Sequence, residues 1–195
     1  TNVILGKKNI VLYGDGYIKD DILGFKFNIS PMSFYQVNPV QTEKLYSKAI
    51  ELADLKGDET IFDLYCGIGT IGICASNKIK KLYGIETVHE AIEDAKKNAS
   101  LNNIENSEFF AGDVEKALPE FIEKNNIKPD VIFIDPPRKG CDNVAIETIL
   151  KIAPEKIVYV SCNPATLSRD LKMFSNMYEL KEVTPVDMFP FTRTY

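Results

Sequence analysis

From residue 59 onward, the sequence alternates short apolar segments with segments of helical periodicity. The apolar segments are strand candidates, and they fall at 59–65, 80–86, 106–111, 130–134 and 156–161. Helix candidates follow them in turn, at about 69–77, 88–101, 113–124, 142–152 and 164–175. Such alternation is typical of βαβ units and predicts an α/β protein with a mostly parallel, doubly wound sheet.

The first 40 residues follow a different pattern. Residues 1–37 are rich in Gly, Phe, Tyr, Ile and Val, with turn signals at 14–16 and 30–31, and they predict short strands in hairpin style. Pro39 marks the start of a helix predicted over 40–52. We therefore expect a β-rich lead-in over 1–40 and a single domain over 41–195.

The C-terminal segment also departs from the alternation. Residues 177–195 carry turn signals at Thr184-Pro185 and Asp187 and predict two strands. A tail of this kind often pairs at an antiparallel edge. The whole sheet is thus expected to have seven strands, parallel except at this edge.

Composition excludes several classes of protein. The chain has 195 residues, of which 45% are hydrophobic and 26% charged, which is typical of a globular domain and not of a disordered or collagen-like chain. No apolar run approaches the ~18 residues of a membrane span. The net charge of −5 argues against a simple electrostatic nucleic-acid binder, but it is compatible with an enzyme that has a locally basic cleft.

Cysteine and histidine usage gives no metal site. The four cysteines stand at 66, 74, 141 and 162, without metal-binding spacing or a dense disulfide pattern. One histidine, His89, is too few for a zinc site or a Ser-His-Asp triad. A reduced, cytoplasmic setting is the simplest interpretation.

The first chemical motif is a glycine turn between a predicted strand and helix. Asp63 precedes it, and Gly67, Gly69 and Gly72 satisfy the G-x-G-x-x-G spacing. Glu86 ends the next predicted strand, where a carboxylate can accept the ribose hydroxyls of an adenosine. Asp63 would repel a pyrophosphate but could pair with a cationic amino-acid tail, which favours S-adenosylmethionine over a nicotinamide dinucleotide.

Two further motifs end predicted strands. Asp113, in Gly-Asp, can bond an adenine amine, or it can serve as the N-cap of a helix. Asp135 opens the segment Asp-Pro-Pro-Arg-Lys-Gly, in which two prolines impose an extended loop. Methyltransferases that act on exocyclic amines often carry an aromatic residue after these prolines. The chain has Arg138 there, which argues against that chemistry.

A thiol follows the fifth strand of the alternation. Cys162, in Ser-Cys-Asn-Pro, precedes a predicted helix whose N-terminus favours a thiolate, and this makes Cys162 a candidate nucleophile. A buried strand-end cysteine is the alternative. Carbon 5 of uracil needs such a thiolate at carbon 6 before it can attack a methyl sulfonium, and a base must then remove the carbon 5 proton.

These motifs resemble one family, the S-adenosylmethionine-dependent RNA (uracil-5-)-methyltransferases that act on ribosomal RNA or on the tRNA T-loop. The resemblance runs in order along nearly the whole chain. The matching stretches are FYQVNPVQTEKLY (34–46), DLYCGIGTIG (63–72), GIE (84–86), GD (112–113), DPPRKG (135–140), SCNPATLSRDL (161–171) and VDMFPFTRTY (186–195).

The resemblance implies a Rossmann-like class I methyltransferase fold, RNA as the substrate and S-adenosylhomocysteine as a product. It implies Cys162 as the nucleophile. It also implies cofactor contacts from six residues: Gln36, Tyr65, Thr70, Glu86, Asp113 and Asp135. The residues alone would not have selected Gln36. We add Arg138 and Arg169 as candidates for positioning the RNA or a loop. Large-subunit ribosomal RNA is expected ahead of tRNA, with no membrane association and no obligate protein partner.

Two departures from the family pattern lead to further expectations. Members usually carry an N-terminal RNA-binding β-barrel, in some with an iron–sulfur cluster. The barrel, and any such cluster, is expected before Thr1 and so outside this chain. The general-base Glu of the family is expected beyond Tyr195. On this interpretation the chain binds the cofactor without completing turnover.

Three other functions remain as alternatives. An NAD-linked oxidoreductase would use the same glycine turn, but it gives Cys162 and the Asp135 segment no shared purpose. A cytosine C5 methyltransferase would need a Pro-Cys pair after the fourth strand of the alternation, which is absent. The third alternative is a non-catalytic module that binds S-adenosylmethionine.

Overall fold

A computed structural model of the chain describes residues 9–192. The strands are β1 (Ile18–Ile22), β2 (Phe25–Ile29), β3 (Thr60–Leu64), β4 (Lys81–Glu86), β5 (Ser107–Ala111), β6 (Val131–Ile134) and β7 (Lys156–Tyr159). The helices are α1 (Pro39–Ala53), α2 (Thr70–Ala75), α3 (His89–Leu101), α4 (Val114–Asn125), α5 (Asn143–Ile152) and α6 (Pro164–Phe174). A single 3-10 turn, Ser76–Lys78, follows α2.

Strands β3 to β7 form one parallel sheet in the order β5-β4-β3-β6-β7. From β3 the chain adds β4 and β5 on one side of the sheet, and it then crosses back to add β6 and β7 on the other side. The switch point of the sheet therefore lies between the neighbouring strands β3 and β6. In open α/β sheets, ligands bind at such a switch point, beyond the carboxyl ends of the strands. The α/β doubly wound fold expected from the alternation is confirmed.

The sheet separates two hydrophobic cores, because successive residues of each strand point to opposite faces. Ile61 and Val131 belong to the core shared with α1, α2 and α3. Phe62 and Ile132 belong to the core shared with α4, α5 and α6. Burial on both faces explains why these strands are nearly continuous runs of apolar residues.

The lead-in forms an antiparallel hairpin of β1 and β2, as the sequence predicts. Its turn is Leu23-Gly24, at φ angles of +52° and +82°, and not either of the turn signals expected from the sequence. Two central residues with positive φ are characteristic of the type I′ turn that suits a two-residue hairpin. Ile22 and Phe27 are fully buried in the core with α1 and α2, so the hairpin packs on the sheet domain.

Helix α3 covers the outer edge of β2 with two asparagines. The amide of Asn98 accepts from the Asn28 N–H at 2.8 Å and donates to the Asn28 carbonyl at 3.2 Å. One turn later, Asn102 makes the same pair of bonds with Lys26, at 2.8 and 2.7 Å. The two side chains thus hydrogen-bond alternate residues of β2, as a neighbouring strand would, and satisfy an edge that would otherwise be open.

The expected C-terminal strands are not found within residues 9–192. Residues 179–187 carry no strand, and β7 is an edge of the five-stranded sheet. Leu180 and Val183, within this segment, are 59% and 61% exposed. The segment is instead tied to α1, through Glu182 with Lys48 and the Met188 carbonyl with Asn38. An extended segment becomes a strand only when its backbone hydrogen-bonds to the backbone of another strand. The contacts that hold residues 179–188 on α1 instead involve side chains. Residues 193–195 lie outside the described part.

We expect Asn98→Ala to lower the free energy of unfolding by roughly 1–3 kcal/mol, because it leaves the Asn28 N–H and carbonyl without partners. Urea unfolding monitored by circular dichroism measures the change. Asn102→Ala, at a more exposed site, should cost less. Ser100→Ala on the exposed face of α3 is the matched control and should cost nothing. Equal losses for Asn98→Ala and Ser100→Ala would contradict the strand-like role of Asn98.

Candidate functional site

The sequence motifs meet at one edge of the molecule because β3 to β7 are parallel. Glu86 ends β4, and Asp135 and Cys162 follow β6 and β7. Backbone bonds continue across the strand ends, from the Asp135 N–H to the Leu64 carbonyl at 3.3 Å and from the Val160 N–H to the Ile134 carbonyl at 2.8 Å. The segments after β3, β6 and β7 are therefore neighbours.

The glycine turn between β3 and α2 is held in a left-handed conformation. Tyr65, Gly67 and Gly69 have φ angles of +62°, +54° and +81°. For a tyrosine this backbone region is uncommon and strained, and such strain persists only where surrounding contacts impose it. One such contact is the carboxylate of Glu86, which accepts from the N–H groups of Gly67 at 3.2 Å and Val88 at 2.9 Å.

Asp63 lies at the centre of the sheet with no exposed surface. Its Oδ2 accepts from the Gly72 N–H at 2.9 Å, which fixes the start of α2. A Cβ at position 72 would lie 2.9 Å from that oxygen, so only glycine allows this approach. The other oxygen, Oδ1, is buried and has no hydrogen-bond partner among the described residues.

The pKa of Asp63 is raised to about 7, mainly by burial and with smaller contributions from the nearby carboxylates of Asp135 and Glu86, against the hydrogen bond from the Gly72 N–H, which lowers it. Burial likewise raises the pKa of Asp135 to about 7. Two acids with raised pKa beside a third carboxylate make this edge attract cations and repel anions. It is therefore ill suited to a pyrophosphate.

A small pocket opens between the glycine turn, the start of α2 and the segment before α1. Its lining comprises Phe34, Tyr35, Tyr46, Asp63, Tyr65, Cys66, Gly67, Thr70, Ile71 and Asp135. The structure thus brings together three of the sequence-predicted cofactor residues, Tyr65, Thr70 and Asp135. Gln36 is half-buried and directly follows Tyr35, which lines the pocket. Glu86 acts through the turn at Gly67.

Tyr46 is a residue that the sequence interpretation missed. It lies on α1, is 4% exposed and lines the pocket beside Asp63 and Asp135. Burial and the Asp135 carboxylate raise the pKa of its hydroxyl well above the usual range, so the hydroxyl stays neutral. From sequence alone, a tyrosine on the apolar face of a helix is interpreted as a core residue. Only the packing of α1 against α2 and β7 reveals its polar surroundings.

Asp113 lies apart from this pocket, at the start of α4. It occupies the N-cap position but makes no side-chain cap bond, and it is exposed. A hydrogen bond from Glu115 lowers the pKa of Asp113, whereas burial raises that of Glu115. Glu115 also accepts a bond from the Tyr65 hydroxyl at 3.2 Å. These contacts connect Asp113, which is itself exposed, to the glycine turn.

Cys162 is the exposed member of the four cysteines, whereas Cys66, Cys74 and Cys141 are buried. Burial raises the pKa of Cys74 to about 12 and that of Cys141 to about 11, and it raises the pKa of Cys66 well above its usual value. These three thiols are poor nucleophiles because they stay protonated and shielded. Cys162 stands directly before Asn163, the side-chain N-cap of α6.

Arg138 and Arg169, the two arginines proposed to position RNA or a loop, have different surroundings. Arg138 is exposed, and its backbone carbonyl accepts bonds from α6. The guanidinium of Arg169 instead bonds the carbonyls of Lys139 and Cys141. Contact with a loop is therefore found for the Arg169 side chain.

Metal-binding clusters and membrane-spanning helices are both absent from residues 9–192. No cluster of three or more His, Cys, Asp or Glu side chains could hold a metal ion there. In the same part of the chain, no helix combines the length and apolar character that crossing a membrane requires.

The fold is that of the Rossmann-like class I methyltransferases. A putative SAM-dependent methyltransferase from Streptococcus mutans shares it at a TM-score of 0.67 and 10% identity, over 88% of this chain and 49% of that one. A more similar structure is the Pyrococcus abyssi tRNA (uracil-54, C5)-methyltransferase in complex with S-adenosyl-L-homocysteine. It matches with a TM-score of 0.78 and 30% identity, over 95% of this chain and 46% of that one.

The family model described as tRNA (Uracil-5-)-methyltransferase matches residues 7–195, and the chain belongs to that family. An uncharacterised RNA methyltransferase of Clostridium tetani is 58% identical over 190 residues, which are 97% of this chain and 41% of the relative. One from Listeria innocua is 53% identical, over 98% and 42%. The chain thus spans about two fifths of the length of the curated relatives it matches.

The raised pKa of Asp63 predicts a loss of stability with rising pH. Folding raises this pKa from 3.8 to about 7, so the folded state binds the proton more tightly. The resulting stability is complete below about pH 4 and is lost as pH rises through about 7. Asp63→Asn should therefore flatten the fall in unfolding free energy between pH 5 and pH 8, measured by urea titration. Exposed Asp58→Asn should leave that fall unchanged. An unchanged fall in Asp63→Asn would show that Asp63 ionises normally.

Proposed function

We propose that this chain carries the catalytic part of an S-adenosylmethionine-dependent enzyme that methylates carbon 5 of a uridine in RNA. The observation that carries the proposal is the position of Cys162, an exposed thiol on the same sheet edge as a buried acidic pocket. Membership of the family supports it, as does the Pyrococcus abyssi relative in complex with S-adenosyl-L-homocysteine. Large-subunit ribosomal RNA is the first proposed substrate.

The residues of the pocket fit the proposed cofactor. The unpartnered Oδ1 of Asp63 and the half-buried carboxylate of Asp135 suit a ligand with a positive charge, as S-adenosylmethionine has at its amino group and sulfonium. Glu86, at the end of β4, suits the ribose hydroxyls, and the open carboxylate of Asp113 suits the adenine amine. Tyr65 and Thr70 border the same space, and Gln36 adjoins it. When bound, the cofactor supplies an electrophilic methyl group.

Cys162 is the proposed nucleophile. Its thiolate attacks uracil carbon 6, so that an S–C6 bond forms and the C5=C6 double bond opens to an enolate. Carbon 5 then takes the methyl group as the methyl–sulfonium bond breaks. A base removes the carbon 5 proton, the double bond re-forms and the thiolate leaves. The protein's contribution is to expose one thiol, hold it at the end of β7 and keep the other three thiols buried.

The cofactor assignment is tested by calorimetric titration with S-adenosylhomocysteine and with NAD. We expect the former to bind and the latter not to bind. Affinity for S-adenosylhomocysteine should rise from pH 6 to pH 8, because ionised Asp63 and Asp135 attract its amino group. Asp135→Asn should weaken binding, and exposed Asp58→Asn should not. Binding of NAD alone would overturn the methyltransferase proposal.

The reaction is tested with RNA that carries 5-fluorouridine at the target position. Fluorine cannot leave as a proton, so the Cys162 adduct should persist as a protein–RNA complex on a denaturing gel when S-adenosylmethionine is present. Cys162→Ala should abolish the complex, and Cys74→Ala, which removes a buried thiol, should retain it. Capture by Cys162→Ala would assign the nucleophile elsewhere.

The tRNA T-loop is a second candidate substrate, favoured by the Pyrococcus abyssi relative described as acting on uracil 54 of tRNA. Fluorinated transcripts of both kinds, offered in competition, separate the two candidates. Faster capture of large-subunit ribosomal RNA supports the first proposal. Faster capture of tRNA replaces it with the second.

A further inference from the structure

The carboxylate of Asp170 on α6 has no exposed surface and accepts hydrogen bonds from three residues. Its Oδ2 accepts from the Cys141 N–H at 2.9 Å and from the Tyr159 hydroxyl at 2.6 Å. Its Oδ1 accepts from Arg169 Nε at 2.8 Å. A fully buried carboxylate is tolerated only with such partners. It therefore joins β7, α6 and the segment that follows β6.

Arg169 extends the same junction along the backbone of that segment. Its Nη2 donates to the Lys139 carbonyl at 2.9 Å and to the Cys141 carbonyl at 3.1 Å. Gly140, between these carbonyls, has a φ of +77°, and a Cβ there would lie 2.6 Å from both Arg169 Nη2 and Asp170 Oδ2. The planar guanidinium is suited to this geometry because it presents several donors in fixed directions.

The start of α6 holds the same segment at a second point. Asn163 Nδ2 and Thr166 Oγ1 both donate to the Arg138 carbonyl, each at 3.2 Å. Asn163 directly follows Cys162, and the held segment begins a few residues earlier at Asp135. The contacts between α6 and residues 138–141 thus adjoin the proposed nucleophile along one segment and Asp135, which lines the acidic pocket, along the other.

We propose that Arg169 and Asp170 are positioning residues that fix the segment 135–141 against α6, and so set the position of Cys162 relative to the pocket. The inference rests on the proposed function, because it concerns the alignment of the thiol with a substrate held beside the cofactor. Neither side chain lines the pocket. Their effect on the reaction passes through the backbone they hold.

The test compares four variants in the full chain by their rate of covalent capture of 5-fluorouridine RNA at saturating RNA. Arg169→Gln removes the guanidinium, and Arg169→Lys keeps the charge without the fork. Gly140→Ala introduces a Cβ that would lie 2.6 Å from Arg169 Nη2 and Asp170 Oδ2, and it therefore displaces the loop from these two side chains. Lys172→Gln removes an equal charge from an exposed site on α6 and is the matched control. Iodoacetamide alkylation of Cys162, affinity for S-adenosylhomocysteine and thermal melting are measured alongside.

We expect Arg169→Gln and Gly140→Ala to slow capture by roughly 10- to 100-fold, since misplacement of reacting groups by about 1 Å has effects of this size. The capture rate of Arg169→Lys should lie between the rates of those two variants and that of the unsubstituted chain. Lys172→Gln should capture RNA at the same rate as the unsubstituted chain. Alkylation of Cys162 and binding of S-adenosylhomocysteine should be unchanged, because a small reagent and the cofactor need no alignment with each other.

Two results would overturn this inference while leaving the proposed function intact. One is capture at the unsubstituted rate by both Arg169→Gln and Gly140→Ala. The other is a fall in capture rate that is accompanied in the same variants by a fall in cofactor affinity and in melting temperature, which would assign the pair a purely structural role. Absence of capture by the unsubstituted chain would overturn the proposed function, and this inference with it.

Discussion

The carboxylate of Asp63 is buried at the centre of the sheet, and the site is arranged around it. One oxygen fixes the start of α2 through the Gly72 N–H, and the other has no partner among the described residues. A buried polar atom without a partner costs about 1–3 kcal/mol. A protein can accept this cost where the atom serves a ligand. Strain at Tyr65, with a φ of +62°, is a second cost at the same turn.

The groups that carry these costs, Asp63 and Tyr65, lie between two well-packed hydrophobic cores. Both faces of the sheet are covered by apolar helix faces, and the hairpin of β1 and β2 adds Ile22 and Phe27 to one of them. The α3 asparagines close the edge of that hairpin. The scaffold is therefore satisfied nearly everywhere, whereas unsatisfied and raised-pKa groups concentrate at the carboxyl ends of β3 and β6. Stability comes from the cores, and the destabilised groups mark the site.

The sequence predicts the five parallel strands and all six helices to within one or two residues. This succeeds because patterning and local chemistry agree: Asn38, Asp142 and Asn163 are side-chain N-caps at helix starts that the periodicity also predicts. The hairpin turn was misplaced because Leu23 is an unusual residue at positive φ. The C-terminal strands are predicted from turn signals, and strand pairing depends on a partner strand that turn signals do not identify.

The site is predictable to the extent that each residue's role depends on its own strand end. Glu86 ends a strand, and Asp135 and Cys162 follow strands, so the parallel sheet brings all three to one edge whatever the details of packing. Tyr46 and the junction at Asp170 depend on which helix packs against which loop, and no local pattern encodes that.

Arg169 is an example of a residue whose role the sequence alone does not determine. Its sequence context allows contact with RNA or with a loop, and both uses exploit the same donors. The structure assigns those donors to the Lys139 and Cys141 carbonyls and to Asp170. Three of the five N–H donors of the guanidinium, those on Nε and Nη2, are thus committed to the protein itself. Arg138, whose side chain is exposed on the same segment, is therefore the better placed of the two to meet RNA.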